Sequence, residues 1–98
     1  MKILLVCAGG FSTSILMKKI RSWGQANGRE LTVDATAQGG YEEKWRNYDI
    51  ILLGPQIAYN AASIRENVTI PVVAIPARDY GMGNVDSIMK LADEALQK

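Results

Sequence analysis

Short apolar runs alternate along the chain with longer segments of helical periodicity. The first and third runs are almost continuously apolar, which is typical of strands buried on both faces. The second has the β-branched alternation of a strand, and the fourth lies between two prolines. Four strands are therefore predicted: Lys2 to Cys7, Leu31 to Thr36, Asp49 to Leu53 and Val72 to Ile75.

Apolar residues three or four positions apart predict helices between and after these strands. In the first helix Leu16, Ile20 and Trp23 recur at this spacing, after three candidate N-cap hydroxyls and before Gly24 and Asn27-Gly28. We predict a short second helix at Tyr41 to Asn47, after a Gln38-Gly39-Gly40 loop, and a third at Ile57 to about Asn67. A last helix is predicted from Val85 onward, with Asn84 as its cap. Its inner face consists of Val85, Ile88, Ala92 and Ala95 or Leu96.

Strands that alternate with helices favour an α/β fold with an open parallel sheet and helices on both faces, because parallel neighbours need long crossovers. We expect one domain over residues 1–98 and the strand order 2-1-3-4. This order brings the carboxyl ends of strands one and three together at the switch point where such sheets bind ligands. The loops that begin at Cys7 and Gly54 meet there.

Composition narrows the function classes. The chain has 98 residues, of which 48% are apolar, with a formal net charge of +1, one cysteine and no histidine. We therefore expect no structural disulfide, metal or cofactor, and no nucleic-acid partner. No apolar run is long enough to span a bilayer and no signal peptide is recognisable, so we expect a cytoplasmic protein without direct membrane insertion.

The loop after the first strand is the strongest candidate site. A lone cysteine is often only a small buried hydrophobe, but Cys7 ends a strand five residues before a helix, where backbone N–H groups and the helix dipole stabilise an anion. Glycines allow close approach of an oxyanion, and the hydroxyls add donors. We predict a phosphate-binding loop with Cys7 as its nucleophile, formed by Ala8, Gly9, Gly10, Phe11, Ser12, Thr13 and Ser14.

Nucleotide-binding loops are not found. Neither Gly-x-x-x-x-Gly-Lys-Ser/Thr nor Gly-x-Gly-x-x-Gly occurs in the sequence. Gly81-Met-Gly83 is too short for a dinucleotide signal, and we predict a flexible turn there.

Other residues near the predicted site have less specific signals. Pro55 and Gln56 either end a strand or form a second wall, with Gln56 donating to a phosphoryl oxygen. For Tyr59 and Tyr80 we favour surface packing over docking.

The charges are unevenly distributed along the chain. Residues 1–30 contain five basic residues and one acidic residue and have a charge of +4, whereas the six basic and nine acidic residues that follow give −3. Lys18, Lys19 and Arg21 form either a solvated helix face or a surface that steers an acidic partner.

The motifs Cys-Ala-Gly-Gly-Phe-Ser-Thr-Ser at residues 7–14 and Leu-Leu-Gly-Pro-Gln-Ile-Ala-Tyr at residues 52–59 resemble the lactose/cellobiose-type IIB component of the bacterial sugar phosphotransferase system. The resemblance spans nearly the whole chain. It implies that Cys7 accepts a phosphoryl group from a histidine of a IIA partner and passes it to a sugar in the membrane IIC permease. Cellobiose, chitobiose, lactose and related oligosaccharides all remain open.

Two other classes share part of this pattern. Low-molecular-weight tyrosine phosphatases look similar, with a Cys-x5-Arg loop and a late aspartate acid, for which Asp79 lies at about the right position. Here Thr13 replaces that arginine, so the bidentate clamp on the phosphoryl group is missing. A non-covalent binding or signalling module fits less well. A receiver domain needs acidic residues at the ends of strands one and three, and a flavin site needs a hydroxyl-rich phosphate loop without a reactive thiol.

Overall fold

The structure, a computed structural model, describes residues 1–7 and 12–97, without the side chains of Ser12 and Thr13. Its strands are β1 (Lys2–Cys7), β2 (Thr32–Ala37), β3 (Ile50–Leu53) and β4 (Val72–Ala74). Its α-helices are α1 (Ser12–Ala26), α2 (Ala61–Asn67), α3 (Ala77–Met82) and α4 (Val85–Leu96), and three 3-10 segments span Gln38–Glu43, Trp45–Asn47 and Pro55–Asn60.

The four strands form one parallel sheet in the order β2-β1-β3-β4, which confirms the predicted topology. Central strand β1 pairs with β2 up to Cys7 opposite Ala37, and with β3 up to Val6 opposite Leu53. Because the strands are parallel, their carboxyl ends share one edge of the sheet. We call this the carboxyl edge.

Each face of the sheet carries its own apolar core, as expected for strands buried on both sides. Ile3 and Leu5 of β1 face the layer that contains α1 and α4, where Ile20 and Ile88 are fully buried. The alternate β1 residues Leu4 and Val6 face the layer of α2 and the 3-10 segments, with the residues Tyr41, Ile57, Ile64 and Val68. The two cores fix β1 rigidly, and with it the position of Cys7.

Two boundaries in the second layer differ from the sequence prediction. The predicted loop at Gln38-Gly39-Gly40 and the predicted helix at Tyr41 to Asn47 are instead 3-10 segments from Gln38 to Glu43 and from Trp45 to Asn47. The helix expected from Ile57 starts as the 3-10 segment after Gly54 and becomes α-helical only at Ala61. Ile57 has non-helical dihedrals, with φ −120° and ψ 17°, so the chain kinks where the periodicity predicted one helix.

Helix α3 was not predicted from the sequence, and the predicted flexible turn at Gly81-Met-Gly83 is wrong. Gly81 and Met82 belong to α3, while Gly83 ends it in a left-handed conformation with φ 63°. The Gly83 N–H donates to the Tyr80 carbonyl and the Asn84 N–H donates to the Asp79 carbonyl, a Schellman arrangement. The segment is therefore an ordered helix end, in which glycine allows the positive φ.

Helices α1 and α4 follow the predicted periodicity, with differences at their ends. Helix α1 continues past Gly24 to Ala26. Asn84 directly precedes α4 as predicted, but its side chain makes no capping hydrogen bond and its Nδ2 lies 3.5 Å from Oδ1 of Asp79. None of the helices that the structure describes is long and apolar enough to cross a membrane.

Candidate functional site

Cys7 lies at the carboxyl edge as the last residue of the central strand, as predicted. The residue is only 6% exposed. Helix α1 starts five residues later, so the donor end of a 15-residue helix lies on the same edge of the sheet. A thiol in this position is held by the sheet, at the start of the connection between β1 and α1.

The loop itself is only partly described. Ala8, Gly9, Gly10 and Phe11 lie outside the described residues, and for Ser12 and Thr13 the description covers only the backbone, at the start of α1. Ser14 lies in the first turn of α1 and is exposed. The assignment of these seven residues to phosphate binding thus stays a prediction.

Gly54 directly contacts the cysteine strand. Its N–H donates to the Val6 carbonyl at 2.9 Å, which extends the β1–β3 pairing by one residue. A β-carbon built on Gly54 would lie 3.4 Å from Cβ and 3.8 Å from Cα of Cys7. The break after the third strand therefore brings the second predicted loop against Cys7, and the missing side chain permits the close approach.

The side chain of Gln56 folds back over this contact. Its Oε1 would lie 2.8 Å from a β-carbon on Gly54, although Gln56 is otherwise exposed. Pro55 starts the 3-10 segment, and the Ile57 N–H donates to the Gly54 carbonyl at 3.1 Å. This tight turn places the Gln56 amide close to Gly54, and both the strand-ending turn and the second wall stay open as interpretations of Pro55 and Gln56.

Asp79, the candidate acid by analogy with phosphatases, is only 2% exposed on α3. The Ser87 hydroxyl donates to its Oδ2 at 3.0 Å, and Asn84 Nδ2 and Arg78 Nε lie 3.5 and 3.9 Å from Oδ1. These contacts join α3 to the start of α4. They give Asp79 a structural role in holding the two helices together.

The two tyrosines differ in their surroundings. Tyr80 packs against the core of the α1 and α4 layer, in agreement with the packing interpretation. Tyr59 is 78% exposed, so that interpretation is wrong for it. It projects from the 3-10 segment after β3 into solvent.

The three basic residues of α1 differ in their surroundings. Arg21 Nη2 donates to the Val33 carbonyl at 2.7 Å and so ties α1 to β2. Lys18 and Lys19 are exposed, and the amine end of Lys19 lies over Gly83 at the end of α3. Arg21 therefore has a structural role, whereas the two lysines stay at the surface of the molecule.

Sequence reasoning missed two exposed apolar residues at this edge. Ile15 of α1 is 62% exposed and Met82 of α3 is 70% exposed. Ile15 lies off the Leu16, Ile20 and Trp23 stripe, a signal that could have marked it as outward-facing. For Met82 there was no such signal, because the sequence pattern did not predict α3.

Comparison with known families decides the assignment. Residues 2–91 match the model of the PTS system, lactose/cellobiose-specific IIB subunit. The chain belongs to this IIB family. It is thus a IIB component of the phosphotransferase system (PTS) for sugar uptake, as the two motifs had indicated.

Relatives with assigned names agree. The chain is 34% identical over 86 residues to the PTS system oligo-beta-mannoside-specific EIIB component of Bacillus subtilis, covering 85% of this chain and 84% of that protein. It is 28% identical over 102 residues to the PTS system galactose-specific EIIB component of Lactococcus lactis, covering 96% and 94% respectively.

Solved structures show the same fold. The cellobiose-specific IIB component of Borrelia burgdorferi matches with a TM-score of 0.81 at 33% identity, over 99% of this chain and 92% of that one. The lactose-specific IIB domain of Streptococcus pneumoniae matches with a TM-score of 0.77 at 24% identity, over 99% and 91%. The fold of this IIB protein is therefore that of its family.

Proposed function

We propose that this IIB protein carries the phosphoryl group on Sγ of Cys7, between a histidine of a IIA protein and a sugar bound by a IIC permease. The observation that carries the proposal is the position of Cys7 at the carboxyl edge of the central strand, against Gly54 and before the start of α1. The chain contains no histidine and no second cysteine, so it offers no rival carrier of either type.

In the first step the Cys7 thiolate attacks phosphorus, the S–P bond forms, and the N–P bond to the donor imidazole breaks. The imidazole nitrogen takes back its electron pair and a proton. In the second step a sugar hydroxyl attacks phosphorus, the S–P bond breaks, and the thiolate leaves while the hydroxyl proton passes to water. A thiolate is both a good nucleophile and a good leaving group, which suits a reversible carrier.

Stabilisation of the transferring group would come from the loop and the helix end. Backbone N–H groups of residues 9–14 would bind the phosphoryl oxygens, with the Ser12 and Thr13 hydroxyls as secondary donors. The proximity of the Gln56 side chain to Gly54 supports a further contact from the second wall. No side chain of this protein is needed as a general acid, since the leaving thiolate needs no proton.

The sugar is proposed only as a class. The names of the similar proteins specify oligo-beta-mannosides, galactose and cellobiose. We infer that the acceptor belongs to the range of cellobiose, chitobiose, lactose and related oligosaccharides. The permease that binds the sugar would choose among them.

A test is sugar phosphorylation in membranes that contain the IIC permease, with purified IIB protein, IIA, the general PTS proteins and phosphoenolpyruvate. We expect Cys7→Ser to abolish formation of sugar phosphate, while its circular dichroism and unfolding midpoint stay close to those of the wild type. Full activity of a folded Cys7→Ser variant would overturn the proposal.

A further inference from the structure

A shallow groove lies between α1 and α3, close to the site. It has a volume of about 170 Å³ and is lined by Ile15, Leu16, Lys19, Tyr80, Gly81 and Gly83. Helix α1 starts just beyond the loop after Cys7, and α3 follows the end of β4 by two residues. The groove therefore lies at the carboxyl edge, on the α1 and α4 side of the sheet.

Both helices of the groove carry a strongly exposed large apolar residue. Of the large apolar side chains that the structure describes, the strongly exposed ones are Ile15, Tyr59 and Met82. Each belongs to a segment that follows the carboxyl end of a strand, and Ile15 and Met82 belong to the two helices that form the groove. Exposed apolar side chains grouped around a site are typical of a protein-binding surface.

Positive charges predominate on the two helices that form the groove. On α1 the charged residues are Lys18, Lys19 and Arg21, and on α3 the exposed Arg78 is next to the buried Asp79. Asp86, an exposed carboxylate in the first turn of α4, accepts a hydrogen bond from Trp23 Nε1. On the opposite side of the sheet the charges are mixed, because the 3-10 segments after β2 carry Glu42, Glu43 and Arg46, with Lys44 between them.

We propose that the groove between α1 and α3 is the docking site for the IIA phosphodonor, with Ile15 and Met82 as its apolar contacts and Lys18, Lys19 and Arg78 as its cationic rim. This inference rests on the proposed function. The donor must bring a phosphohistidine, an anionic group, directly to Cys7, so its docking surface must adjoin the carboxyl edge. A cationic rim attracts an acidic surface and speeds association.

The charge of the rim favours the donor over the permease. Cytoplasmic loops of membrane proteins carry an excess of lysine and arginine. The cationic rim of the groove would be repelled by such loops, whereas it would attract an acidic soluble protein. The groove thus suits the partner that arrives first in the transfer sequence.

The test measures phosphoryl transfer from the phosphorylated lactose/cellobiose-type IIA protein of the same organism to the variants Ile15→Glu, Met82→Glu and Lys19→Glu. All three side chains are exposed, so the fold should tolerate the changes. We expect the apparent KM for phospho-IIA to rise about tenfold or more for Ile15→Glu and Met82→Glu, with kcat changed by less than about twofold. Lys19→Glu should also weaken the dependence of the rate on ionic strength.

Gln25→Glu provides the matched control, because it adds a negative charge to an exposed position at the far end of α1. It should leave KM unchanged. Transfer from the phosphorylated variants to sugar through the IIC permease should also stay at the wild-type rate.

Wild-type KM values in the groove variants would overturn the proposal, and so would variants that take up phosphoryl normally but fail to deliver it to the permease. In the second case the groove would dock the permease. If the wild-type protein itself took no phosphoryl group from IIA, the proposed function would fail, which is a separate outcome.

Discussion

At the scale of single residues, the site depends on one close contact between two loops. Gly54 packs against Cys7 because no side chain separates them, and Gln56 closes over the same point. The sequence predicted both residues of this contact, because the strand-end Cys7 and the break at Gly54-Pro55 are local signals. It could not predict that Met82 is exposed, since the sequence pattern did not predict α3, whereas the position of Ile15 off the apolar stripe of α1 was a usable signal.

Gly54→Ala should slow phosphoryl uptake. The added methyl would lie 3.4 Å from Cβ of Cys7, which the sheet holds in place, and 2.8 Å from Oε1 at the end of the Gln56 side chain. We expect a loss of stability of at most about 1 kcal/mol, because 3.4 Å is an ordinary contact and the end of the Gln56 side chain can move away, together with a slower transfer from phospho-IIA because Gln56 is displaced. Urea unfolding and the transfer rate measure the two effects.

The control for this variant is Gly39→Ala, because nothing lies within 4 Å of a β-carbon there. The double variant Gly54→Ala with Gln56→Ala removes one of the two crowded partners and separates their effects. A Gly54→Ala protein that accepted the phosphoryl group as fast as the Gly39→Ala protein would show that the contact with Cys7 is unimportant.

Thr13 stands where the similar phosphatases have an arginine, and we infer that this protects phosphocysteine from water. An arginine would stabilise the charge of the hydrolytic transition state. Thr13→Arg should therefore shorten the half-life of the phosphorylated protein, as followed by intact mass over time, whereas Thr13→Ser should not. An unchanged half-life in Thr13→Arg would show that the idea is wrong.

At the scale of elements, continuous apolar runs were the most reliable signal. Strands β1 and β3 were predicted to within one residue because burial on both faces leaves little alternative. Helix α3 was missed because it is only six residues long, contains Gly81 and starts directly after Pro76. Its Tyr80 packs into the core that α1 and α4 share, and a local pattern does not contain such contacts.

The hydrogen bond between Tyr48 and Asp34 of β2 should make part of the free energy of unfolding depend on pH. The Tyr48 hydroxyl donates to Asp34 Oδ2 at 2.7 Å. This hydrogen bond is the main cause that raises the pKa of Tyr48 above its ordinary value, and partial burial and the charge of Asp34 raise it further. The folded state thus favours the neutral phenol, so the stabilisation is fully present below the unfolded pKa and is lost as pH rises through the folded pKa.

Tyr48→Phe should lower the free energy of unfolding by less than about 1 kcal/mol at neutral pH, since the pair is partly solvated. The difference from the wild type should shrink in strongly alkaline solution. Urea unfolding at neutral and at alkaline pH measures it, with Tyr59→Phe, which changes an exposed phenol, as the control. An equal difference in the free energy of unfolding at both pH values would contradict the raised pKa of Tyr48 in the folded protein.

At the scale of the whole molecule, topology and charge together define the functional edge. The crossover rule predicted a parallel sheet, and the doubly wound strand order 2-1-3-4 then placed the Cys7 and Gly54 loops together. Of the basic residues in positions 1–30, Lys18 and Lys19 come to lie beside α3 when α1 packs next to it. That packing involves residues far apart in sequence, which explains why the groove could not be predicted.

The central claim is that Cys7 carries the phosphoryl group, and intact mass spectrometry tests it most directly. The wild-type protein and Cys7→Ser would be incubated with phosphoenolpyruvate, the general PTS proteins and a cognate IIA. We predict one stable phosphoryl increment on the wild type and none on the variant. The same increment on both proteins, or no increment on the wild type together with turnover of an aryl phosphate, would contradict the claim.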